Sequence, residues 1–104
     1  MRATQKSIIN FLKEIKADLK SSGIVKIALF GSFARDEAGV YSDIDIAIKK
    51  EHNYLQEKSA YDYFEKVASL RDQLQARFHR KIDIFDLDSD STMKKMIMKD
   101  LIYV

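Results

Sequence analysis

The chain has no cysteine, and that absence removes disulfides, thiolate zinc sites, iron–sulfur clusters and a cysteine nucleophile together. Any metal must be held by oxygen or imidazole ligands. Proline is absent too, and glycine occurs only at Gly23, Gly31 and Gly39, so few positions can take an unusual backbone. No linker, repeat or low-complexity segment interrupts the chain. Uninterrupted apolar runs reach four residues, as in Ile27 to Phe30, far below the ~20 of a membrane span and too short for a secretory core. No membrane contact and a cytoplasmic location are expected. Eighteen Lys and Arg against sixteen Asp and Glu leave a formal charge of +2, too little for a protein that grips nucleic acid by neutralising phosphates.

What is present fits a single globular domain over residues 1–104, with 46% hydrophobic and 33% charged residues. Ile8, Phe11, Leu12, Ile15 and Leu19 recur at helical spacing between Thr4 and Ser22, and Gly23 is placed to end that helix. Ile24 to Phe30 is nearly continuous apolar sequence, as in a central strand covered on both faces. Asp43 to Ile48 alternates with period two, so Ile44, Ile46 and Ile48 share one face and Asp43, Asp45 and Ala47 the other. A helix is predicted from Tyr54 to His79, with Asn53 and Gln56 at its cap and a stripe of Ala60, Phe64, Val67, Leu70, Leu74 and Phe78. Lys81 to Leu87 reads as a third strand, and Ser91 to Leu101 as a last helix burying Met93, Met96, Ile97 and Leu101. The order is α-β-(short α)-β-α-β-α, an α/β (α+β) fold with a small mixed sheet flanked by helices.

Chemistry concentrates between residues 30 and 45. Gly31 and Ser32 close the first strand, and Ser42, Asp43 and Asp45 open the second. Eleven residues, Ser32 to Ser42, join the two strands, which favours antiparallel or adjacent strands over a long parallel crossover. Gly31 lets a ligand approach the backbone, and Ser32 is placed to cap a short helix whose first N–H groups suit a phosphate. Asp43 and Asp45, at i and i+2 on one strand face, repel each other unless a cation lies between them. Mg²⁺, which keeps waters and takes substrate phosphates beside a few carboxylates, resolves that conflict. In Lys81-Ile82-Asp83-Ile84-Phe85-Asp86 alternation selects the third ligand: if Ile82 and Ile84 face the core, Asp83 faces the site and Asp86 lies at the strand exit. His52 and His79 read as helix-terminal or solvated groups, and Arg77 to Lys81 as the basic end of a helix. Tyr54, Tyr61, Tyr63 and Phe64 read as core and rim.

Written in full, GSFARDEAGVYSDIDIAI resembles the G-S-x10-D-x-D signature of the nucleotidyltransferase superfamily that includes DNA polymerase beta. The short chain is similar to the minimal nucleotidyltransferases that pair with HEPN-domain toxins, and the likeness runs through Ile82-Asp83-Ile84 to Val104. The resemblance implies the minimal nucleotidyltransferase fold. It also implies Mg²⁺ on Asp43, Asp45 and Asp83, which are then the catalytic residues, and nucleotide binding by Gly31, Ser32, Arg35 and Ser42. In that family ATP is the substrate and AMP passes to a Tyr hydroxyl of the partner toxin, with Asp83 placed to help deprotonate it. A hetero-oligomer with the HEPN toxin is then expected, the partner supplying the acceptor that 104 residues leave no room for. The alternatives are an antitoxin that neutralises by occlusion alone, and a transferase with a small-molecule acceptor. One departure is Asp36, where many relatives carry Gly; it adds a negative charge beside the phosphate turn.

Overall fold

A computed structural model describes residues 2–89 and 92–104. Helix α1 (Gln5–Ser21) starts at a reciprocal cap: the Ser7 amide donates to Thr4 Oγ1 at 3.0 Å, and the Thr4 amide donates to Ser7 Oγ at 2.8 Å. Its apolar face buries Ile8, Phe11, Leu12 and Leu19. Gly23, at φ +95°, turns the chain into β1 (Ile24–Phe30), which leads through the short α2 (Gly31–Ala34) to β2 (Ile44–Lys50). Then come α3 (Tyr54–Glu57), α4 (Ala60–Phe78), β3 (Ile82–Asp86), α5 (Lys94–Met98) and β4 (Ile102–Tyr103). The mixed α+β architecture is the one expected.

The sheet runs β3-β2-β1-β4. β1 is interior, antiparallel to β2 on one side and β4 on the other, while β3 joins β2 in parallel after the α4 crossover. Alternation then divides the sheet. Ile44, Ile46, Ile48 and Ile82 join Ile27 and Leu29 in the main core under α1 and α4. The opposite face carries Asp45, Asp83 and a smaller apolar cluster of Ala28, Ala47 and Leu87 with Phe30, Phe85 and Leu101. Burying the isoleucines under the helices is what turns Asp45 and Asp83 to the open face.

Several expectations need correction. The long helix from Tyr54 breaks at Lys58, which is extended, and restarts at Ser59, whose side chain accepts from the Asp62 amide at 3.1 Å while Asp62 accepts from the Ser59 amide. That cap outcompetes the expected one at Asn53, whose side chain makes no capping bond. On α4 Ala60 and Phe64 point outward and Tyr63 is buried instead, because the register is set from Ser59. The last helix covers only Lys94–Met98; its expected start, Ser91, lies outside the described residues. Ile97 is buried as expected and Leu101 is half-buried, but Met93 and Met96 are exposed, and the chain after Leu101 adds β4 to the edge of β1. Among the described residues no helix is long and apolar enough to cross a membrane.

Candidate active site

Asp45 and Asp83 are register partners in the parallel β2–β3 pair, so their side chains leave the sheet on the same face from adjacent strands. Asp43 precedes β2 by one residue. Its carboxylate lies 3.9 Å from Lys81 Nζ, which is also 4.0 Å from Asp83 Oδ1, so one exposed ammonium reaches both. The three acids are thus gathered at one end of the open face. Asp86, on the other face, is held by Lys50 Nζ at 2.8 Å, by the Tyr63 hydroxyl at 2.6 Å and by the Asp88 amide at 2.8 Å. Burial pushes the Asp86 carboxyl up, but the bonds from Lys50, Tyr63 and Asp88 outweigh it and hold the carboxyl below its ordinary value. Tyr63, buried and bonded to that carboxylate, has its hydroxyl pushed up. Asp86 belongs to the fold, and Asp83 to the open face.

Asp45 has a perturbed carboxyl. Partial burial pushes its carboxyl from 3.8 to about 6, with Asp83 and Asp43 adding repulsion and Arg35 and Lys81 opposing it. An acid whose ionisation is opposed by two neighbouring carboxylates is a group that a bound cation would relieve. Among the described residues no three such groups already stand at metal-ligating separation; Lys81 stands beside two of them instead. The donor set, three hard carboxylates on one open face, suits Mg²⁺.

Gly31 sits directly against Asp45. Its φ is +76°, and an added β-carbon would fall 3.0 Å from Asp45 Cγ and overlap Oδ2. The glycine therefore makes room for the carboxylate as well as for the turn. Ser32 is not the cap of α2: Phe30 holds the N-cap position and provides no side-chain bond, because the strand runs directly into the helix. The Ser32 carbonyl accepts from the Glu37 amide at 2.8 Å, closing the turn that carries Arg35. Asp36 in that turn is left-handed, with φ 59°, so the backbone shape that a glycine would supply is kept with an Asp in place.

The expected phosphate ligands are not all free to serve. Arg35 donates to Asp100 at 2.7 Å and to Glu37 at 3.1 Å, which pushes the guanidinium further up. Ser42 Oγ accepts from the Gly39 amide at 2.8 Å and ties the loop before Asp43. Three residues with a part in the site were missed from sequence. Arg80 donates to the Ser42 carbonyl at 2.7 Å and to the Gly39 carbonyl at 3.2 Å while lying over the Phe33 ring, fixing the loop that delivers Asp43. Lys81 and Asp100 are the other two. The one available signal was position: Arg80 and Lys81 immediately precede the strand that brings Asp83 into register.

The model of the polymerase beta nucleotidyltransferase domain matches residues 8–104. The chain belongs to the polymerase beta nucleotidyltransferase family. Three Methanocaldococcus jannaschii members that carry provisional names as protein adenylyltransferases are similar over 97% of this chain and 98% of their own, at 37%, 35% and 35% identity. Among solved structures, one provisionally described as a minimal nucleotidyltransferase shares the fold at a TM-score of 0.70 and 20% identity, covering 96% of this chain and 95% of its own. A toxin–antitoxin with AMP-PNP also shares it, at a TM-score of 0.60 and 23% identity over 97% of this chain and 72% of the other. For a nucleotidyltransferase the arrangement is chemically coherent: acids gathered on an open face, and a glycine turn against one of them.

Proposed function

We infer that this nucleotidyltransferase is a Mg²⁺-dependent adenylyltransferase that moves AMP from ATP to a tyrosine hydroxyl of a HEPN-domain toxin, and that it acts as the antitoxin of that pair. The observation that carries this reading is the register of Asp45 with Asp83, with Asp43 within reach of the same ammonium as Asp83. The adenylyltransferase names of relatives at 35% identity and above support the reaction class. The toxin–antitoxin that shares the fold with AMP-PNP supports both the nucleotide and the kind of partner.

Asp43, Asp45 and Asp83 would hold Mg²⁺, which supplies charge neutralisation at the phosphates. Gly31 and Ser32 receive the triphosphate beside Asp45, and Arg35 turns from Asp100 to the phosphates. The acceptor oxygen forms a bond to the α-phosphorus, the bond from that phosphorus to the bridging oxygen breaks, and pyrophosphate leaves with the electron pair. Asp83 takes the hydroxyl proton. Neutralisation by occlusion is the second reading, favoured by the commitment of Arg35 to Asp100 and by Lys81 standing beside Asp43 and Asp83. Mass spectrometry of the co-expressed pair separates them. An AMP adduct on the partner that vanishes with Asp43→Asn supports transfer, whereas a partner left unmodified yet neutralised by Asp43→Asn establishes occlusion.

A further inference from the structure

The open face does not end at the carboxylates. Phe30 is the register partner of Asp45 across the antiparallel pair, so its ring lies beside the acid on the same face. From there a cleft of about 170 Å³ opens, bounded by Phe30, Gly31 and Arg35 on one side and by α5 on the other. Gly31 belongs to both places: it lines this cleft, and it stands against the Asp45 carboxylate. A molecule with phosphates at the glycine turn therefore borders this cleft.

The wall that α5 contributes is unusual for so short a helix. Ile97 anchors it at 5% exposure, while Met93, Met96 and Met98 are 59%, 71% and 54% exposed. Three of the four methionines in the chain thus stand on one segment with no place in the core. Met93 and Met96 both line the cleft. An unbranched, polarisable thioether adapts to a flat aromatic ring and makes favourable sulfur–ring contacts. At the polar edge the Asp100 carboxylate, which Arg35 leaves as it turns to the phosphates, accepts hydrogen bonds.

The geometry points to a nucleobase subsite in this cleft, with the base of the nucleoside triphosphate held between Phe30 and the wall that Met93 and Met96 form at the start of α5. This rests on the nucleotidyl-transfer reading above. A small cleft continuous with the phosphate turn fits a flat ring better than a protein segment, which would need a broader surface.

Calorimetric titration with Mg²⁺ and either AMP-PNP or inorganic tripolyphosphate tests it, because the second ligand has phosphates and no base. In Met93→Ala/Met96→Ala, affinity for AMP-PNP falls about tenfold while that for tripolyphosphate is unchanged. Met96→Leu, which keeps an apolar side chain of similar size, retains most of the AMP-PNP affinity, and circular dichroism confirms that both variants fold. Equal losses for the two ligands, or no loss for AMP-PNP, overturn the subsite. So does a double variant that binds AMP-PNP normally but no longer holds the toxin, which makes the methionines a docking surface. A wild-type protein that binds neither ligand rejects the nucleotidyl-transfer reading itself, and that result is distinct from the others.

Discussion

Gly31 and Asp45 compete for one space: a β-carbon on the glycine would overlap the Asp45 carboxylate, and the glycine also holds φ +76°. Gly31→Ala therefore meets both a left-handed strain and a displaced acid. A loss of about 1 to 3 kcal/mol in stability is expected, together with loss of nucleotidyl transfer. Denaturant unfolding and a transfer assay check it. Wild-type activity in Gly31→Ala would mean that Asp45 can move without consequence.

Stability should fall as pH rises past the Asp45 titration. Its folded value of about 6 exceeds the ordinary 3.8, so the native state binds the proton more tightly than the unfolded state. The stabilisation is fully present below about pH 4 and is lost as pH rises through about 6. The group is partly solvated, which limits the effect to about 1 kcal/mol. Asp45→Asn removes this dependence and is at least as stable as wild type at pH 7, while tight binding of nucleotide with Mg²⁺ disappears. Thermal melts across pH 4 to 8, without ligand, show whether the slope flattens.

Asp83 and Asp86 lie on one short strand but should behave oppositely. Asp83→Asn abolishes transfer and leaves stability within about 0.5 kcal/mol. Asp86→Asn weakens the bonds from Lys50 and Tyr63 and lowers stability by about 1 to 3 kcal/mol while transfer remains. Parallel unfolding and activity measurements on the two variants decide the matter; equal activity losses would overturn the division.

At Asp36 the backbone is left-handed, with φ 59°. Asp36→Gly removes that strain and should raise stability by about 0.5 to 1 kcal/mol. It also removes a negative charge near the phosphate turn, so affinity for tripolyphosphate with Mg²⁺ should rise rather than fall. A melting curve and a titration are sufficient.

The sequence displays β2, β3 and their acids because both strands follow a period of two. Ile44, Ile46 and Ile48 mark the core face, and the intervening residues leave Asp45 no choice of side. The same rule, applied to Ile82 and Ile84, separates Asp83 from Asp86. What it hides depends on competition between local signals or on distant partners. Ser59 with Asp62 forms a better cap than Asn53, a difference that periodicity over Tyr54 to His79 does not register. Met93 and Met96 look like part of a buried stripe with Ile97 and Leu101, but the helix ends at Met98 and the chain goes on to form β4 at the edge of β1. Arg80 reveals its part only when the Gly39 and Ser42 carbonyls are brought next to it. Lys81 with Asp43 and Asp100 with Arg35 are equally silent pairs, since the partners are far apart in the chain.

The parallel seam between β2 and β3 also fixes when the site can exist. Asp43 and Asp45 reach the Gly31 turn after a short connection, whereas Lys50 meets Asp86 across 36 residues of chain. Closing that loop, with the α4 crossover between, costs more chain entropy than closing the short one. Without that seam Asp43 and Asp45 stand with no third acid beside them. The carboxylate set that suits a cation is therefore complete only once β3 is seated on β2.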